Sequence, residues 1–130
     1  MGELAAVLWQ ERELLEDLLF AVLQQHSVLT QGQARWLGRA DAAVATATRA
    51  VQTHEVFRAM QVETVVSLLG QPATACLRDI AEAAGEPWLT VLGEHRDALR
   101  ALAAEIDEAV ERNQSLLVAG ERATREALEV

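Results

Sequence analysis

The stretch WLTVLGEHRDALRALAAEIDEAVERNQSLL, residues 88–117, decides the fold. Trp88, Leu92, His95, Leu99, Leu102, Ile106, Ala109, Asn113 and Leu116 follow one another at alternating intervals of four and three. That spacing is a heptad, and it gathers all nine residues on one face of a helix. Arg, Asp, Glu and Ala take most of the positions between. A face this apolar has to be covered by other helices.

The covering helices lie upstream. Residues 3–29 carry Leu4, Leu8, Leu15, Leu18, Val22 and Leu29 at the same spacing, with Glu11 and Gln25 filling the gaps. Gly32 is expected to end this helix, since glycine accepts positive φ just past a C-terminus. A second helix is expected from Ala34 to Leu69. Its stripe is Leu37, Ala40, Val44, Ala47, Val51, Arg58, Val62, Val65 and Leu69, with Trp36 and Phe57 beside it. Its middle is rich in Ala and lets a neighbour approach closely. Gly70-Gln71-Pro72 breaks it. Thr74 is then expected to cap a short helix over residues 75–84, with Leu77 and Ile80 on its apolar side. Gly85 closes it, and Pro87 suits the first turn of the last helix. That helix either ends near Gly120 or continues past it to Leu128; Gly120 weakens it, so residues 119–130 are expected to form a frayed or separately mobile tail.

Three long helices and one short one, joined by short loops, predict an all-α chain. The expected architecture is a single elongated antiparallel bundle or hairpin spanning residues 1–130.

Composition narrows the function. The net charge is −9, which opposes nucleic acid as a partner, because phosphate binding needs a basic face. Residues 79–130 hold twelve acids against five bases, and residues 1–78 hold eight against six. The acidic half serves solubility, or steers a basic partner. All eleven basic residues are Arg, which fits GC-rich codon usage. Cys76 is the single cysteine, so no disulfide framework exists, as suits the cytosol. Met1-Gly2-Glu3 lacks a basic n-region and Ala6 breaks a myristoylation motif, so neither a signal peptide nor a myristoyl anchor is expected. The apolar runs are too short for membrane insertion.

Catalytic, metal and cofactor motifs are missing from the sequence. The residues three before His26, His54 and His95 are Leu23, Val51 and Leu92, so no Glu-x-x-His pair exists for a di-metal bundle. His54-Glu55 begins like a zinc-protease helix, but Arg58 stands where the second His is needed. The histidines read as partly buried or surface residues. No phosphate-binding glycine loop or nucleophile elbow is present. Cys76, near the start of the short helix, is expected to be a small packing residue.

Two features point to binding. Glu11 and Asn113 interrupt otherwise apolar stripes. A polar residue there fixes helix register, or else marks a place where the seam faces solvent. Leu116, Leu117 and Val118, with Leu128 beyond, carry a sticky strip into the thinly supported tail. Burying one Leu contributes roughly 1.5–3 kcal/mol, so a few of them suffice for a helix-in-groove interface. Val110, Leu116 and Leu117 are the expected centre of such a partner site, supported by Leu102 and Ile106. The same strip can serve a second copy of the chain, which leaves homo-oligomerisation open.

The ordered set of features resembles the FlgN family. It comprises the Leu-rich first helix with Glu11, aligned over Leu8 to Ala40, then Gly32 and the Trp36-Leu37 pair. Leu69-Gly70, the segment TACLRDIAEAAGEPW (Thr74 to Trp88) and Asn113 with Leu116-Leu117 follow. The all-Arg, Ala-rich character is similar to the version from high-GC bacteria. The resemblance implies a cytoplasmic chaperone for hook–filament junction proteins. It would bind their amphipathic C-terminal helices, block premature assembly and present them to the flagellar type III export apparatus. It implies no enzyme activity and no cofactor, and it places client binding in the C-terminal region. One competing pattern is Trp36-Leu37-Gly38, a Trp-x-Gly of the kind found in helical hairpins secreted by the type VII pathway. A secreted or self-associating hairpin, or a helical adaptor of another pathway, is therefore the alternative. Against the hairpin, the turn is expected at Gly32, and no Tyr is available for a C-terminal export signal.

Overall fold

The computed structural model describes residues 1–129. It is 88% helical, with no strand among the described residues. Helix α1 runs over Gly2–Thr30, α2 over Leu37–Leu68, α3 over Leu77–Ala84 and α4 over Trp88–Leu128. A single 3-10 turn, Ala34–Trp36, leads into α2, so the expected start at Ala34 becomes a tighter first turn.

Helices α1 and α2 end in the same way. The Gln33 N–H reaches the Val28 carbonyl at 3.1 Å, and the Gln71 N–H reaches Val66 at 3.0 Å. Both closures route the chain through a glycine at positive φ, Gly32 at 65° and Gly70 at 64°. This is the Schellman geometry, which a Cβ would strain.

Helix α1 packs along both α2 and α4, and α3 packs on α4. Its neighbours run in opposite senses. Glu3 meets Gln61 and Gln25 meets Asp41, so α2 is antiparallel to α1. Arg12 meets His95 and His26 meets Asn113, so α4 is parallel to α1. One apolar cluster joins Leu4 and Leu8 of α1 with Val65 and Val66 of α2, Ile80 of α3, and Leu92 and Leu99 of α4. A second joins Leu18 and Val22 with Val51, Ile106 and Ala109. The heptad of residues 88–116 supplies the α4 side of both.

Several expectations change. Thr74 does not cap α3; Cys76 does, and the helix starts at Leu77. The cause is Asp79, whose carboxylate accepts the Cys76 N–H at 3.0 Å and its thiol at 3.2 Å, forming a capping box. These bonds hold the Asp79 carboxyl below the usual carboxylate range. Cys76 is accordingly exposed rather than packed. Pro87 sits at the N-cap of α4, not within its first turn. Gly120 does not interrupt α4, which runs 41 residues, about 60 Å, to Leu128. One glycine costs about 1 kcal/mol in a helix, and the Ala, Glu, Arg and Leu around it are strong helix formers. His54 and His95 are buried, at 7% exposure each.

Candidate functional site

Polar contacts fix how the three long helices slide past one another. Glu11 is 4% exposed and takes a bond from the Arg58 guanidinium at 3.1 Å, tying α1 to α2. Its second carboxylate oxygen is buried without a partner. The His54 Nε2–H donates to the Val7 carbonyl at 2.8 Å, a second tie between the same helices. Near the other end of α1, Asn113 is 2% exposed. Its Nδ2 donates to the Val22 carbonyl and to Gln25 Oε1, each at 2.9 Å, and its Oδ1 pairs with His26 Nδ1 at 3.0 Å. Gln25 in turn donates to Asp41 of α2 at 2.7 Å. One chain of bonds thus crosses α4, α1 and α2. Glu11 and Asn113 do not face solvent, so the solvent-facing reading fails, and both bond across helices as a register-fixing residue would have to.

His95 packs edge-on against Trp9, with ring centroids 5.9 Å apart, and faces Arg12. Burial first, and then the Arg12 charge, push its pKa below the usual value; Glu94 opposes them. The imidazole is therefore held neutral. No group of three or more potential metal ligands occurs among the described residues.

Beyond Asn113 the cover runs out. Helix α1 stops at Thr30, and the chain turns away into α2. Helix α4 continues, and residues 118–128 are all exposed. Leu116 and Leu117, with Gly120, Glu121, Thr124 and Arg125 further along α4, line an open groove of about 820 Å³ together with Leu29, Ala34 and Leu37. The inward face of α4 persists here, but no fourth helix lies on it.

The five expected partner-site residues fall in different surroundings. Leu116 and Leu117 line the groove. Ile106 lies in the second core cluster, 8% exposed, and Val110 packs at that cluster's edge. Leu102 is half-buried. Ile106 and Leu117 are separated by about 16 Å along α4, so the five do not form one patch. Sequence reading missed Leu29 and Leu37 as the opposite wall. Both were legible as stripe residues, but only the turn between them shows that they end up facing α4.

A family profile described as FlgN protein matches residues 1–130. The chain belongs to the FlgN family. Comparison with curated proteins and with solved structures gave no match. FlgN is a flagellar export chaperone family, and the geometry of this member suits protein binding. Its distal groove is elongated, largely apolar and open along a helix. No helix among the described residues is long and apolar enough to cross a membrane. Trp36-Leu37-Gly38 of this FlgN chain, the Trp-x-Gly of the alternative reading, lies where the 3-10 turn enters α2.

Proposed function

We propose that this chain is a cytoplasmic type III export chaperone that binds the helical termini of hook–filament junction proteins and prevents their premature assembly. It acts without chemistry of its own, and hands its client to components of the export apparatus. The observation that carries this reading is the uncovered inner face of α4. Leu116 and Leu117, with Leu29 and Leu37 opposite, offer the floor and wall that an amphipathic helix needs. Ile106 and Val110 pack in and against the second core cluster, from which α4 runs on to the groove, and Leu102, half-buried, lies one turn before Ile106. A client helix laid in the groove would take the place that a fourth long helix leaves open.

The test is co-purification of the chain with each hook–filament junction protein of the same genome, followed by the mass of any complex. The expected result is a stable complex that disappears when the client's C-terminal helix is deleted. No complex with any of them at micromolar concentration overturns the proposal.

A further inference from the structure

Four of the eleven arginines converge far from the groove. Arg58 of α2, Arg78 of α3, and Arg96 and Arg100 of α4 line an open pocket of about 520 Å³, with Leu77 and Leu99 supplying apolar surface between them. Two of these charges are already matched. Arg58 bonds Glu11 at 3.1 Å, and Arg78 bonds Glu82 at 3.3 Å. Arg96 and Arg100 have no carboxylate partner among the described residues. They stand one turn apart on α4, where like charges destabilise a helix. The pocket therefore holds two arginines without a salt bridge in a chain of net charge −9, with the Asp79 carboxylate at its rim, 3.2 Å from the Cys76 thiol.

The ligand has to satisfy both facts. A long polyanion is repelled by the chain as a whole. A bare inorganic ion leaves the leucines uncovered. A guanidinium plane takes a carboxylate through two parallel N–H···O bonds, and an aliphatic side chain fits on Leu77 and Leu99. We propose that this pocket docks an acidic segment of a partner protein, with carboxylates on Arg96 and Arg100 and an aliphatic residue between them. Arg100 and Leu116 are separated by about 24 Å along α4. Both sites can therefore be filled together, and this one does not rest on the client reading.

Cys76, which also lines the pocket and is exposed, is a built-in reporter. The full chain is reacted with dianionic 5,5′-dithiobis(2-nitrobenzoate) and with neutral 4,4′-dithiodipyridine. Both consume the same thiolate, so the ratio of their rates reads the local field. The neighbouring Asp79 acts alike in every protein compared. The expected ratio is at least about fivefold higher than in the double variant Arg96→Gln/Arg100→Gln, and it falls to the variant's level in concentrated salt. A five-residue peptide of alternating Glu and Leu should then protect Cys76 from the neutral reagent saturably. It should not protect the Gln variant, and a Lys and Leu peptide or inorganic phosphate should not protect the parent. The Arg96→Lys/Arg100→Lys variant should keep the rate ratio while losing at least half of the protection, because Lys keeps charge without the planar fork. It also serves if the Gln variant does not fold. Equal ratios in parent and Gln variant, no protection by millimolar acidic peptide, or equal protection by phosphate would each overturn the proposal.

Discussion

At the end of the bundle that carries α3, Leu4, Leu8, Ile80 and Leu92 are fully buried. At the opposite end, the same α4 stripe reaches Leu116, which is 36% exposed. The residue types hardly differ; the number of neighbours does. Helix α3 closes the first end as a fourth wall, and α1 and α2 turn away from the second. A heptad stripe becomes core where other helices cover it and an exposed apolar face where they stop. Asn113, with its bonds to Val22, Gln25 and His26, stands at the border between the two.

The largest effect should come from the closed end. Leu8→Ala removes a fully buried side chain from a cluster fed by all four helices. Its expected cost is about 2–5 kcal/mol, read as a lower urea midpoint at unchanged slope. Leu117→Ala should cost less than about 1 kcal/mol, since the groove side of Leu117 already meets water. Equal losses would erase the distinction between the two ends.

Asn113→Leu comes next and probes the border. The new side chain suits the stripe, but it strands His26, Gln25 and the Val22 carbonyl. We expect a loss of about 1–3 kcal/mol from those orphaned groups. A neutral or stabilising result would show that the bonds set register without adding stability, as buried polar residues do in some coiled coils.

Much of this contrast was legible in the sequence. The order of helices, the glycine turns and the α4 heptad follow from periodicity and from Gly and Pro placement. Glu11 and Asn113 stood out because apolar spacing predicted an apolar residue where each occurs. What stayed hidden depends on position along neighbouring helices. Periodicity alone does not separate Ile106 from Leu117, because both fall on the apolar side of α4. Ile106 clusters with Val22 and Val51, whereas Leu117 lies at the level where α1 ends. The arginine pocket draws on residues 58, 78, 96 and 100, and no sequence period joins them. Cys76 looked like packing because a cysteine N-cap needs Asp79 to make sense of it.

A smaller effect on stability, but a decisive one for function, is expected of Leu117→Asp. Thermal melting and helicity should stay nearly unchanged, while client affinity falls at least about tenfold, or 1.4 kcal/mol. Calorimetric titration against the co-purified client, beside a thermal melt, reads both. If the variant unfolds, Leu117 belongs with the core and the open end begins further along α4.

The smallest effect lies in the overhang itself. Outside the adjacent helix backbone and its two chain neighbours, no heavy atom lies within 4 Å of where a Cβ would stand at Gly120, and its φ is not positive, so Gly120→Ala meets no steric objection. Alanine should favour the local helix by about 1 kcal/mol, a factor of roughly five in the opening equilibrium. Because residues 118–128 make no core contact, the global melting temperature should not move. Amide exchange over residues 121–128 should instead slow about fivefold. A preformed helix also loses less conformational entropy when a client docks on it. Client affinity should then rise by up to the same factor, through slower dissociation. Slower exchange with unchanged affinity would separate the two roles of the overhang: it would be helical in the free chain, and the client would make its contacts entirely on the near side of Gly120.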